Sequence, residues 1–294
     1  MSFFSEAGSE AAVIARLAEC RDPRLKQVVA SAVRHLHAFV KDVEPTMDEW
    51  MTAISFLTRT GQMCDDRRQE WILLSDVLGV SMLVETINHR ATGGATEQTV
   101  LGPFHVAGAP VLPHGSNICR DGKGTPCVVR GRVLGTDGRP VAHAILDVWQ
   151  TSEDGFYDIQ QPGVQPEGNL RGKFATDADG RYWFVTVKPC SYPIPTDGPV
   201  GDLLRGMGRH PFRPAHIHLI VGADGYEPVT THIFVKGDPY LESDAVFGVK
   251  ESLVREFVEV TDPAEAARLG VEAPFWTTEF DVRLKPAAVR QAAE

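Results

Sequence analysis

The sequence predicts an α+β protein, mainly β, with a helical N-terminal packing and association domain followed by an antiparallel β-sandwich. Three observations carry this. Apolar residues recur at spacings of three and four through the first part of the chain. A Gly- and Pro-rich connector follows, and from Cys127 the apolar period falls to two, in short runs separated by turn signals. The division is expected at 1–100 for the helical domain, with a connector to about residue 126, and at 101–294 for the sandwich.

Residues 9 to 20 are short and Ala-rich. From Leu25, the positions Val28, Val29, Ala32, Val33, Leu36, Phe39 and Val40 form one face of a helix that ends before Pro45. Thr46-Met47-Asp48-Glu49 has the form of a capping box and opens a helix through Trp50, Ile54 and Leu57 to Gly61. A fourth helix, from about Asp66 to His89, is apolar on most of its circumference, so it should be buried or shared with a partner subunit. Leu73, Asp76, Val80, Leu83 and Ile87 share one of its faces, which sets a carboxylate into an apolar stripe. Strands are expected at Cys127–Leu134, His143–Trp149, Tyr182–Val187, the stretch after Arg213, Val229–Val235 and Trp276–Arg283, with one helix near Glu251–Val260.

The formal charge of −10 gives no electrostatic footprint for nucleic acid. No segment is apolar enough for membrane insertion, and Met1-Ser2-Phe3-Phe4-Ser5-Glu6 lacks the basic start of a secretory signal. The five cysteines are scattered and odd in number, which argues against a disulfide framework and suits a cytoplasmic protein.

The chemistry gathers at Arg213-Pro214-Ala215-His216-Ile217-His218. On a strand, His216 and His218 project to one face with Ile217 opposite. Such a pair suits a transition metal, but equally describes two strand histidines with no metal. Tyr157 lies just beyond a strand end, and Tyr192 sits among Pro189, Pro193 and Pro195, so both can reach one sandwich end. A phenolate ligand requires an ion that pulls the phenol pKa down from about 10, and ferric iron does this better than zinc or magnesium.

Four blocks resemble the intradiol ring-cleavage dioxygenases: Asp147-x-Trp149 with Gly155-Phe156-Tyr157; Lys188-Pro189-x-x-Tyr192-Pro193-Ile194-Pro195; Arg213-Pro214-Ala215-His216-Ile217-His218; and Gly102-Pro103-Phe104. With the helical part, the resemblance covers nearly the whole chain. It implies one Fe(III) per chain, held by Tyr157, Tyr192, His216 and His218. Tyr192 would also act as a base, and Arg213 would stabilise charge on the substrate. The substrates implied are a small aromatic diol or triol and O2. Leu73 and Asp76, the run Val100, Leu101, Gly102, Pro103 and Phe104, then Ile194 with Pro195, and Arg213, His232 and Val246 would contact the substrate. Leu73 with Asp76, the Val100–Phe104 run, Ile194 and His232 resemble the hydroxyquinol-cleaving members, with catechol or chlorocatechol cleavage as the alternative. The family also implies a homodimer through the N-terminal helices, with room for phospholipid. A non-catalytic β-sandwich that stacks a ligand on the same side chains is the reading of another class.

Overall fold

The computed structural model describes residues 4–66 and 68–287. The chain divides into two compact units, Met1–Arg59 and Thr60–Glu294.

In the first unit, helix α1 (Ser9–Ile14) runs into a single 3-10 turn, Ala15–Leu17. Helix α2 (Pro23–Val43) starts where the Asp22 carboxylate accepts from the backbone N–H groups of Arg24 and Leu25, with Pro23 in the first turn. It stops at Glu44, which takes a left-handed conformation at φ 47°. Helix α3 (Met47–Gln62) opens on the expected capping box. The Glu49 carboxylate accepts from the Thr46 backbone N–H at 2.8 Å, and the Thr46 hydroxyl accepts from Glu49 N–H at 3.2 Å. Leu36, Phe39, Val40 and Val43 of α2 remain exposed in the single chain.

The expected fourth helix is two helices, α4 (Glu70–Val77) and α5 (Val80–Asn88). Gly79 breaks it with a left-handed φ of 72°, a conformation that costs glycine little and β-carbon residues more. The predicted stripe is therefore interrupted after Asp76. Val80, Leu83 and Ile87 are exposed, so the burial expected for this segment is not met within one chain.

The strands are β1 (Pro126–Gly135), β2 (Ile145–Trp149), β3 (Arg171–Ala175), β4 (Arg181–Val187), β5 (Tyr192–Pro193), β6 (Phe212–Arg213), β7 (His216–Gly222), β8 (Val229–Val235), β9 (Val254–Arg255), β10 (Val258–Val260), β11 (Phe275–Glu279) and β12 (Val282–Leu284). One sheet has the order β10-β11-β1-β12, with β4 also pairing β1; the other has the order β3-β2-β7-β8-β9, and β5 pairs β6.

Three expectations are corrected. The sheets are mixed, because β1 runs parallel to β11 and β12, and β8 runs parallel to β9. These partners arrive by long crossovers, so no hairpin dictates their direction. The run Trp276–Arg283 is two strands with a break at Phe280, where the carbonyl packs so closely on Gly131 that a β-carbon there would collide with it. The helix expected at Glu251–Val260 is one 3-10 turn (Glu251–Leu253) followed by β9 and β10, as β-branched Val254, Val258 and Val260 favour. Two further helices, α6 (Pro199–Gly206) and α7 (Pro263–Leu269), were not expected.

The core lies between the sheets. Val129, Val133 and Phe184 from one meet Leu146, Val148, Ile217, Leu219, Val221 and Ile233 from the other. Because Ile217, Leu219 and Val221 face this core, His216 and His218 stand on the opposite face of β7.

Candidate metal centre and active site

Cross-strand register builds the site. Arg171 on β3, Trp149 on β2, His218 on β7 and His232 on β8 are successive partners across the sheet. Paired residues share a face, so these side chains form one row on the side away from the core. Trp149 lies flat on His218, with centroids 4.7 Å apart and planes at 11°. His232 stands edge-on to it at 4.1 Å. His216 is two residues from His218 on the same face.

The tyrosines come from irregular segments. Tyr157 leads into a 3-10 turn, where its N–H donates to Gln160 Oε1 at 2.9 Å. Tyr192 lies on β5 directly opposite Arg213 on β6.

Four polar atoms close into a compact ring. Tyr157 Oη is 2.8 Å from Tyr192 Oη and 2.8 Å from His218 Nε2. His216 Nε2 is 3.1 Å from His218 Nε2 and 3.4 Å from Tyr192 Oη. All four residues are buried. His216 Nδ1 is 2.7 Å from the Pro214 carbonyl, which can only accept, so its proton is there and Nε2 offers a lone pair to the ring. His218 Nδ1 lies 2.6 Å from His232 Nε2. A proton on that Nδ1, donated to His232, frees His218 Nε2 in the same way.

The donor set fits a metal ion. Ligand atoms about 2.0–2.2 Å from one ion sit roughly 2.8–3.5 Å apart, the spacing found here. Burial holds His216, His218 and His232 well below the usual imidazole range, so all three are neutral, as ligation requires. Burial, with Tyr192 beside it, lifts the Tyr157 phenol far above its usual value; burial also raises Tyr192 against the pull of Arg213. Two phenols this reluctant to ionise become ligands only beside a strongly polarising cation. His216, His218 and His232 offer nitrogens within 4.8 Å of one another. His232, however, spends Nε2 on His218, and so backs the ring from behind.

The segment 100–104 crosses the face of His218. Gly102 (φ 75°) comes so close that a β-carbon would lie 3.2 Å from the imidazole Cε1. Phe104 stacks on Tyr157 at 4.6 Å. Val100, Ile194 and Val246 are buried, Leu101 and Pro103 are exposed, and Leu73 and Pro195 are half-buried. Asp76, at the end of α4, is half-buried, and that burial raises its pKa, partly offset by the Ser81 hydroxyl and the Arg213 charge. Arg213 Nη1 lies 3.2 Å from His216 Nε2, while Nε donates to Asp244 Oδ1 at 3.2 Å. Burial alone would pull the guanidinium pKa down, but Asp244 together with Tyr192 and Tyr157 more than offsets this, so the group stays charged.

Sequence reasoning gave no role to Trp149, Arg171 or Asp244. Arg171 forms a buried pair with Asp158 at 2.7 Å, and its guanidinium sits 5.9 Å from the Tyr157 ring centre. Its place opposite Trp149 follows only once β3 is recognised. Asp244 lies in a turn, Glu242-Ser243-Asp244, that carries no pattern pointing to Arg213.

Comparison with known proteins agrees over nearly the whole length. A family model described as "Catechol dioxygenase N terminus" matches residues 22–96, and one described as "Dioxygenase" matches residues 100–286. A hydroxyquinol 1,2-dioxygenase of Rhizobium sp. (strain MTP-10005) is 59% identical over 280 residues, 95% of each chain. A 6-chlorohydroxyquinol 1,2-dioxygenase of Cupriavidus pinatubonensis is 54% identical, over 85% of this chain and 91% of the relative. The solved hydroxyquinol 1,2-dioxygenase of Pseudomonas putida DLL-E4 superposes with a TM-score of 0.91 at 47% identity, covering 96% of this chain and 99% of that one. With one family model over residues 100–286 and a relative 59% identical over 95% of its length, the chain belongs to the intradiol ring-cleavage dioxygenases.

Proposed function

We propose that the protein is an Fe(III)-dependent hydroxyquinol 1,2-dioxygenase, with one iron per chain held by Tyr157, Tyr192, His216 and His218. It would open benzene-1,2,4-triol between its adjacent hydroxylated carbons and place one atom of O2 on each. The product is 3-hydroxy-cis,cis-muconate, which tautomerises to maleylacetate. The observation that carries this reading is the buried ring of two phenol oxygens and two imidazole nitrogens, 2.8–3.4 Å apart, with a permanent cation at its edge. The names of these similar proteins support hydroxyquinol as the substrate.

Held by these four residues, Fe(III) would supply the Lewis acidity that ionises the phenols and activates the diol toward O2. The protein does the rest. Pro214 O and His232 hold the two imidazoles so that each Nε2 faces the ring. Tyr192 Oη lies beside both Tyr157 and His216, where it can take a diol proton, and its burial favours keeping it. Arg213 stays charged beside His216 and stabilises negative charge as it builds on the substrate. Val100, Ile194 and Val246 exclude water, and Asp76 accepts from the third hydroxyl of the triol. We further propose that residues 1–100 serve association as a homodimer, with 101–294 catalytic. The exposed apolar side chains of α2, Leu36, Phe39, Val40 and Val43, support that, and would equally admit phospholipid. A cytoplasmic location fits the five free cysteines.

Oxygen uptake with a panel of diols, alongside metal analysis, tests the reading. Stoichiometric iron, a phenolate-to-iron visible band and a higher kcat/KM for hydroxyquinol than for catechol are expected. A colourless protein that binds diols without consuming O2 would instead be a ligand-binding sandwich.

A further inference from the structure

Asp244 sits in the turn after β8, fully inside the protein, and its two oxygens are shared between a side chain and the backbone. Oδ1 accepts from Arg213 Nε at 3.2 Å and from Val246 N–H at 3.3 Å. Oδ2 accepts from Arg213 Nη2 at 3.4 Å and from Gly248 N–H at 2.9 Å. The turn is tied on both sides. Thr99, which precedes the segment crossing His218, donates through its hydroxyl to the Gly248 carbonyl at 2.8 Å. Ala245 N–H donates to the Phe212 carbonyl, next to Arg213, at 3.1 Å.

The guanidinium is thereby divided. Asp244 takes Nε and Nη2, and Nη1 alone is left to face His216 Nε2. The fit has no slack, because a β-carbon at Gly248 would stand 2.9 Å from Arg213 Nη2, 3.1 Å from Thr99 Oγ1 and 3.2 Å from Asp244 Oδ2. A buried pair that served only stability would not need to present one particular nitrogen to the site. It would also not need to anchor the backbone of Val246.

We propose that Asp244 is a positioning residue: it fixes which edge of the Arg213 guanidinium meets the substrate, and sets the Val246 wall with the same carboxylate. This rests on the proposed function insofar as Arg213 acts on the substrate; the placement of Arg213 can be read without turnover.

The test compares Asp244→Asn, Gly248→Ala, Arg213→Lys and the Asp244→Asn/Arg213→Lys double variant as iron-loaded proteins. Asp244→Asn keeps the shape but loses the charge and half of the clamp. It should keep wild-type iron content and visible band while kcat falls about 10-fold or more and KM for hydroxyquinol moves less than about 3-fold. In the Arg213→Lys background the same change should add less than about 2-fold, since it acts through a side chain already lost. Gly248→Ala, which pushes the guanidinium without removing a charge, should repeat the kcat loss if Asp244→Asn folds poorly. An unchanged kcat, a fully additive double variant, or iron lost in step with activity would overturn the proposal. A crystal structure of Asp244→Asn decides independently of turnover: Arg213 Nη1 should leave His216, and a guanidinium that stays in place refutes the role. Absence of O2 uptake by the wild type would count against the proposed function instead.

Discussion

Replacing Asp76 with alanine tests the substrate choice at its physical root. Asp76 sits at the end of α4 with a carboxylate pKa raised by burial and moderated by Ser81 and Arg213. Arg213, the cation bordering the proposed metal ring, lowers that pKa through its charge, and Asp244 raises it. A triol that donates its third hydroxyl to this carboxylate gains a charged hydrogen bond of about 1.5–3 kcal/mol. Catechol offers no such donor and leaves a partly desolvated acceptor unpaired, which is the stronger form of discrimination. That energy corresponds to about 10- to 150-fold in kcat/KM. Asp76→Ala should therefore narrow the hydroxyquinol-to-catechol ratio by about that factor, chiefly through the triol. The assay is oxygen uptake with both diols in both proteins, with iron measured in each preparation. A ratio that does not move, at equal iron content, would show that Asp76 only terminates α4.

Tyr157→Phe removes the ring atom that bonds both Tyr192 and His218, so metal analysis and the visible spectrum should show most of the iron and colour lost, whereas Tyr192→Phe should keep more iron and lose turnover. At Gly198 an added methyl would collide with the fully buried Glu70 carboxylate and lie 2.9 Å from Arg68 Nη2; Gly198→Ala should cost about 1–3 kcal/mol, seen as an apparent Tm lower by about 2–8 °C with iron content unchanged. Burial pushes the Cys127 thiol from 9.0 up to about 12. Between those values the unfolded chain gives up a proton that the folded chain keeps, so stability falls by about 1.4 kcal/mol per pH unit, and denaturant titrations should show Cys127→Ala flattening that slope.

Much of this was legible because the sequence repeats its own geometry. The capping box at Thr46, the apolar face of α2 and the alternation through β7 each follow from local spacing, and each appears in the structure. The break at Gly79 was missed although a glycine stood in the pattern, because the apolar run on both sides read as one helix. Helix α7 was legible and overlooked: Asp262 caps Ala264 N–H at 2.9 Å, Pro263 opens the helix and Gly270 closes it at φ 70°. The parallel pairing of β1 with β11 and β12 was not legible, since nothing local sets the direction of a strand that returns after a long crossover. Asp244 and Arg171 belong to the same category, because their partners are chosen by tertiary packing.

The strand β7 shows why the site is robust while its substrate preference can drift. Its inward residues Ile217, Leu219 and Val221 are locked in the core, and a slip of one residue would exchange them for His216, His218 and Ile220. Core packing therefore fixes the register that aims the ligands. That register in turn places Trp149, Arg171 and His232 beside His218 across three further strands. Of these side chains, His232 is also among those expected to contact the substrate. Others so assigned lie elsewhere: Asp76 on a helix broken just beyond it, Val100 to Phe104 on an irregular segment, and Val246 on the turn held by Asp244. Changes at Asp76 or Val246 leave the core-facing side of β7 untouched, whereas Gly102 and Phe104 pack on His218 and Tyr157 themselves. The blocks around Tyr157, Tyr192 and His216-Ile217-His218 accordingly carry the ring, whereas the proposed substrate choice would fall to residues such as Asp76 and to Gly102-Pro103-Phe104.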